Sequence, residues 1–229
     1  MLYTAEMVRG NIRNRDGKRV FFLNKGDTLT PGARDWLSRE RIEIRSGDSA
    51  KIEEYRLTNG AVLRQKPEQM THLHSDVLVL KTHPRIAFRG AMDLLEAEII
   101  LCQLYVRDEL RKDLGEILNL ARMLIRCEVM GEPVPEGKLC GLTESEQRSR
   151  SHRPQEYYGQ PHFMPEYTDG AEVLWLNRCR CAARSAELAA ARAFIDADGN
   201  ATRGDILRTL NRMSSMIYIL MIQVKAVKL

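Results

Sequence analysis

The sequence predicts a mainly α protein: a bundle of long helices preceded by a small α/β segment. Three observations point to it. From residue 85 onward apolar residues recur at helical spacing over long stretches without proline. Before residue 66, short β-type runs alternate with turn signals. Pro67 marks the change between the two regimes, so the expected division is 1–66 for the small segment and 67–229 for the bundle.

In the small segment, Arg19 to Leu23, Ile42 to Ile44 and Ala61 to Leu63 read as strands, with turns at Arg15-Asp16-Gly17 and Gly47-Asp48. Between them Leu29 to Ile42 reads as a short helix, because Thr30 can cap it and Pro31 suits the first helical position. Thr71 to Arg85 is an extended lead-in with proline at 84. Arg85 to about Leu110 then forms a long helix with Ile86, Leu94, Leu95, Ile99, Ile100, Leu101 and Leu104 as apolar positions. A second helix runs from about Asp113 to Met130, carrying Ile117, Leu118, Leu120, Ala121, Leu124 and Ile125, and is ended by Gly131, Pro133 and Pro135. Leu142 to Ser149 holds a helical turn or two, and Pro154 to Gly170 reads as an irregular loop. An Ala-rich helix spans Ala171 to Phe194. After a turn at Asp196 to Arg203, Thr202 with Asp205 reads as a capping box for a last helix ending near Val227. Four long helices and a short fifth make a bundle.

Composition narrows the classes of function. The chain has 229 residues, 44% hydrophobic and 29% charged, which suits a soluble globular protein with a sizeable core. No apolar run reaches membrane-spanning length, and the first residues lack the apolar core of a signal peptide, so a cytoplasmic location is expected. Five cysteines in no framework spacing read as free thiols. A net charge of +4 favours a phosphate ligand and falls short of a nucleic-acid-binding tail.

Polar residues at helical spacing form three stripes: Arg85, Arg89, Asp93 and Glu96; Asn177, Arg180, Arg184 and Glu187; Asn211, Ser214, Ser215 and Tyr218. Such stripes are often solvated faces. The second is dominated by arginine instead of mixing signs for i,i+4 pairs, which points to an anion. If the stripes converge, an Asp93 to arginine pair beside further arginines frames a polyphosphate pocket, with arginine forks and Lys81 as a point charge. Other constellations carry less. His72-x-His74 puts two imidazoles on one side of a strand with no further ligand nearby, so no metal site is predicted. Cys179 and Cys181 point about 200 degrees apart on a helix and read as small packing residues. Asp196 to Asn200 has calcium-loop character, but its glycine is misplaced and Leu207 stands where the closing glutamate belongs. Nucleophile elbow, Walker A loop and dinucleotide fingerprint are absent.

Four segments in order resemble the ATP:cob(I)alamin adenosyltransferases of the propanediol-utilization type and, over the whole chain, their ethanolamine-utilization relatives. They are THLHSDVLVLKTHPRIAFRGAMDLLEAEI (71–99), SHRPQEYYGQPHFMPE (151–166), LNRCRCAARSAE (176–187) and LRTLNRMSSMIYILM (207–221); KGDTLTPGARDWL (25–37) resembles the leader of the ethanolamine-type enzymes. The resemblance implies a five-helix-type bundle of ferritin-like topology, a trimer with sites between subunits, and transfer of the 5′-deoxyadenosyl group of ATP to cobalt(I) of cobalamin. It implies Asp93 pairing across an interface with Arg180, and Arg184, Glu187 and Asn211 on ATP. Thr71, Lys81 and Arg85 would hold triphosphate with Mg²⁺, and Phe163 with His162 would face cobalamin, Phe163 as the wedge that removes the lower axial ligand. Cobalt(I) needs no general base, which agrees with the missing triads.

The chain departs from the pattern in several places. No glycine-rich phosphate loop precedes Thr71, His83 replaces an aspartate, Leu188 replaces an arginine, and residues 46–70 lack the cysteines and histidines of a metal motif found in some ethanolamine-type enzymes. The partners implied are a corrinoid reductase and ethanolamine ammonia-lyase, within a bacterial microcompartment; no nucleic acid and no membrane are expected. The rival readings are a non-catalytic corrinoid carrier or assembly protein of an ethanolamine-degrading compartment, which would bind corrinoid without ATP, and a nucleic-acid-binding bundle with one broad basic patch.

Overall fold

The computed structural model describes residues 1–15, 17–24, 26–46 and 54–227, and the chain divides into two compact units, Met1–Lys81 and Thr82–Leu229. The turn expected at Gly47-Asp48 and Asp16 of the first turn lie outside the described residues. The units divide later than Pro67 because the lead-in is built into the first unit's sheet.

In the first unit, β1 (Leu2–Tyr3) pairs in parallel with β4 (Thr28–Leu29), while β2 (Arg13–Arg15), β3 (Lys18–Leu23) and β5 (Glu43–Ser46) form a second sheet in that order. The helix predicted from Thr30 and Pro31 is α2, Pro31–Arg39, and the Thr30 side chain accepts the Ala33 N–H at 3.2 Å. A short helix that was not predicted, α1 (Ala5–Arg9), is capped in the same way by Thr4. Val8, Phe21, Leu29, Ala33, Leu37 and Ile42 close a small core between these elements. A third sheet has the order β7 (Val62–Leu63), β6 (Tyr55–Leu57), β9 (Val77–Leu80), β8 (Met70–His74). The lead-in is thus a hairpin, turned at Ser75 with φ 45. Its register shifts between His72 and His74, so the even alternation that would align two imidazoles is broken. His72 Nδ1 lies 3.0 Å from the Ser75 carbonyl, and His74 is exposed.

The second unit contains α3 (Pro84–Cys102), α4 (Asp108–Met130), α5 (Glu144–His152), α6 (Pro154–Tyr158), α7 (Ala171–Phe194) and α8 (Gly204–Ala226). Four are long and two are short. α7 packs between α3 and α8, and its buried Ala182, Ala183, Ala186 and Ala190 allow close approach of the flanking helices. α4 ends at Gly131 in the left-handed conformation, φ 68, where glycine is favoured. A capping box not foreseen in the sequence, Thr143 with Glu146, starts α5.

Three expectations are corrected. The helix predicted from 85 to 110 stops at Cys102. Gln103 and Arg111 exchange two bonds of 3.0 Å across the turn, and Glu172 of α7 accepts the Arg107 N–H at 2.8 Å, so tertiary contacts rather than glycine or proline make the break. Leu94, Ile100 and Leu104 are accordingly exposed, and the buried face of α3 is Phe88, Met92, Leu95, Ile99 and Cys102. The second correction concerns the start of α8. Thr202 donates to the Phe194 carbonyl at 2.9 Å, finishing α7, while Asp205 accepts from Arg203 and from the Val134 N–H at 3.0 Å, so no Thr202–Asp205 capping box forms. Third, α6 and a 3₁₀ turn at Tyr167–Asp169 interrupt the predicted loop. No helix among the described residues is long and apolar enough to cross a membrane.

Candidate active site

Two of the three polar stripes meet. On α7, Arg180 and Arg184 sit one turn apart because nothing breaks the helix between Gly170 and Ile195. With Ser214, Ser215 and Tyr218 of α8 and His162 of the preceding loop they line a cavity of about 260 Å³. Arg180 is steered by Asn177, whose Oδ1 accepts from Nε and Nη2 at 3.1 and 3.0 Å, and its guanidinium lies 6.0 Å from the centre of the Tyr218 ring. Arg184 is exposed and has no hydrogen bond or ion pair among the described residues. One turn further on, Glu187 Oε1 accepts the Asn211 side-chain N–H at 2.9 Å, and this bond ties α7 to α8. Its second carboxylate oxygen has no partner among the described residues.

Tyr218 organises the loop edge of the cavity. His162 Nε2 lies 3.2 Å from the His152 carbonyl, which can only accept, so that nitrogen carries the proton in the neutral ring. Nδ1 then accepts from the Tyr218 hydroxyl at 3.1 Å, and the hydroxyl oxygen accepts the Phe163 N–H at 3.3 Å. The His162 ring stacks on Tyr218 with an interplanar angle of 6°. Phe163 is half-buried, and Lys225 Nζ lies 4.3 Å from its ring centre, held by an ion pair of 2.7 Å with Asp169. Phe163 and His162 therefore sit at the edge of the arginine cavity as one unit. Nothing in the sequence marks His152, Asp169 or Lys225 for this place, because the packed bundle brings each of them there.

The stripe on α3 behaves differently. Arg85 Nε and Arg89 Nε donate to the two oxygens of Glu128 at 2.5 and 2.7 Å, and the Glu128 side chain is 0% exposed. Glu128 lies in an apolar stretch of α4, and its role was missed because both partners come from about forty positions earlier. His83 begins α3 by accepting the Arg85 N–H at 3.2 Å, the task an aspartate performs at a helix start. Burial, together with the Arg85 and Arg89 charges, pushes the His83 pKa down and keeps the ring an acceptor. Asp93 is exposed and has no ion pair among the described residues, since Arg180 turns to Asn177 within the same chain. The two remaining predicted residues belong to the first unit: Thr71 pairs with Val79 in the hairpin, and Lys81 meets Glu68 at 2.8 Å. Of the two cysteines on α7, Cys179 is buried as expected, whereas Cys181 is exposed.

A family model described as cobalamin adenosyltransferase matches residues 61–224. The corrinoid adenosyltransferase EutT of Salmonella typhimurium is 34% identical over 96% of this chain and 90% of its own length, and EutT of Escherichia coli K12 is 32% identical over the same shares. A solved variant of a PduO-type ATP:corrinoid adenosyltransferase from Lactobacillus reuteri, complexed with cobalamin and ATP, shares the fold with a TM-score of 0.50 at 14% identity, covering 76% of this chain and 90% of that one. The chain belongs to the cobalamin adenosyltransferase family, a family of enzymes.

Proposed function

We propose that the protein transfers the 5′-deoxyadenosyl group of ATP to the cobalt of cob(I)alamin, giving adenosylcobalamin and triphosphate. The observation that carries this reading is the pair of arginines facing a cavity, one of them without a hydrogen bond or ion pair among the described residues, beside the Glu187–Asn211 bond. Arginines left without carboxylates at a cavity wall are suited to phosphate oxygens, which guanidinium groups bind with charge-assisted hydrogen bonds.

The reaction needs positioning and charge stabilisation. The cobalt(I) electron pair forms the bond to C5′, the C5′–O bond breaks, and the departing triphosphate keeps that bond's electrons. Arg180 and Arg184 stabilise the charge that grows on the leaving group, and Asn211, fixed by Glu187, orients the nucleoside end. Mg²⁺ commonly takes one or two carboxylates plus substrate phosphates. No cluster of three protein ligands occurs among the described residues, so the free oxygen of Glu187 with triphosphate oxygens fits it. When bound, Mg²⁺ neutralises triphosphate charge.

Phe163 is the side chain that displaces the lower axial ligand of cobalamin, with His162 at its flank. Asp93, exposed and without an ion pair among the described residues, supports a homo-oligomer, a trimer by family resemblance, in which it meets Arg180 of a second copy. The likeness to ethanolamine-utilization enzymes supports ethanolamine ammonia-lyase as consumer of the product within a microcompartment, and a corrinoid reductase as source of cobalt(I). The test is an anaerobic assay with cob(I)alamin, Mg²⁺ and ATP. ATP-dependent loss of the cobalt(I) absorbance with a light-sensitive product is expected; corrinoid binding without product would mean a carrier instead.

A further inference from the structure

A second and larger cavity, about 930 Å³, lies between α4, the 134–148 segment and α8, and the proposed reaction does not use it. It opens on a different stripe of α8. Asp205, Arg208, Thr209 and Arg212 line it at helical spacing, whereas Ser214, Ser215 and Tyr218 line the arginine cavity.

Its charges are unbalanced. Lys138, Arg148, Arg208 and Arg212 face Glu136 and Glu144, and the one further carboxylate, Asp205, is already held by Arg203 at 2.9 Å. Lys138, Arg148 and Arg208 are exposed and have no hydrogen bond or ion pair among the described residues.

Two side chains in the wall have unmet hydrogen-bonding needs. Arg212 donates through Nη2 to Asn211 Oδ1, but its Nε and Nη1 are buried with no partner among the described residues. Gln147, only 3% exposed, donates to the Leu142 carbonyl at 2.9 Å while its Oε1 is buried without a partner among the described residues. Buried polar groups without partners cost free energy and are rare, and each one calls for a water, ion or ligand. Here the needs are complementary: two donor nitrogens seek an acceptor and one acceptor seeks a donor, in a wall where four cations face the carboxylates of Glu136 and Glu144.

We propose that this cavity is a second ligand site, taking a small phosphate ester that also carries a hydroxyl or amine donor. Phosphate oxygens would meet Arg208, Arg148 and the free N–H groups of Arg212, and the ligand's donor would meet Gln147 Oε1. The volume lies within the range usual for small-molecule sites.

Ribose 5-phosphate is a suitable probe, titrated calorimetrically into the full chain with inorganic phosphate and ribose as comparisons. Arg212 is a poor position to substitute because it is bonded to Asn211, so the test uses Arg148→Glu with Arg208→Glu, both exposed. Ribose 5-phosphate should bind more tightly than either comparison, and the double variant should weaken it about tenfold or more. Binding should survive Arg184→Ala. Absence of binding, equal affinity in the double variant, or loss of binding on Arg184→Ala would overturn the proposal. Since no turnover is measured, failure here leaves the adenosyltransferase reading intact, and the reverse also holds.

Discussion

Arg85 and Arg89 on α3 and Arg180 and Arg184 on α7 have the same spacing, and in the sequence they look alike. In the structure they differ in what faces them. The α3 pair clamps a carboxylate buried completely in the protein, whereas the α7 pair borders a cavity, with Arg180 held by a neutral amide beside the Tyr218 ring and Arg184 without a hydrogen bond or ion pair among the described residues. A guanidinium that already has its carboxylate helps to hold the fold, and one without a carboxylate can be used on a ligand. The difference comes from which arginine meets the buried carboxylate: Glu128 takes both Arg85 and Arg89, whereas the buried carboxylate against α7, Glu98, is taken by Arg178 and leaves Arg180 and Arg184 to the cavity.

Removing Glu128 should have the largest effect. Glu128→Ala would leave two partly buried arginines without their anion and should cost about 3–5 kcal/mol of stability, read from urea unfolding. Unchanged stability would mean that the α3 arginines are as free as those on α7. A third arginine sharpens the contrast at smaller scale. The Arg203 hydrogen bonds hold the Asp205 pKa at about 2, below its ordinary 3.8, against the opposing effect of burial. A depressed carboxylate pKa adds stability above the unfolded value and loses it as pH falls through the folded one. Asp205→Asn should therefore cost on the order of 2 kcal/mol near neutral pH, and the difference from wild type should shrink between about pH 4 and pH 2. A gap that stays constant across that range would show that charge is not the cause. The smallest effect is expected for Tyr218→Phe, which deletes the hydroxyl shared by His162 and the Phe163 N–H. It should cost about 1 kcal/mol of stability and reduce turnover with cobalamin more than it weakens ATP binding; an equal change in both would dissociate Tyr218 from the Phe163 loop.

The sequence showed most plainly what local chemistry decides. α7 could be read end to end because an Ala-rich, arginine-striped run follows Gly170 and stops at Ile195, and α2 was announced by Thr30 and Pro31. What stayed hidden depends on residues far apart in the chain. The break after Cys102 has no glycine or proline to mark it and rests on Glu172 reaching Arg107 from 65 positions away. Thr202 could have capped α8 or finished α7, and only the fold decides between them. The same holds for the candidate site: the α7 and α8 stripes were visible as patterns, but the engagement of Arg85 by Glu128, and the grip of Tyr218 on His162 and Phe163, required the packed bundle.

The most direct test of the central claim compares Arg184→Ala with Arg89→Ala in anaerobic cob(I)alamin turnover and in ATP binding, with unfolding measured alongside. The structure predicts that Arg184→Ala keeps wild-type stability and loses about a hundredfold or more in kcat/KM for ATP. Arg89→Ala should lose stability, and the molecules that remain folded should keep most of their activity. Normal ATP-dependent turnover in Arg184→Ala would contradict the assignment of the α7 arginines as the nucleotide-binding pair.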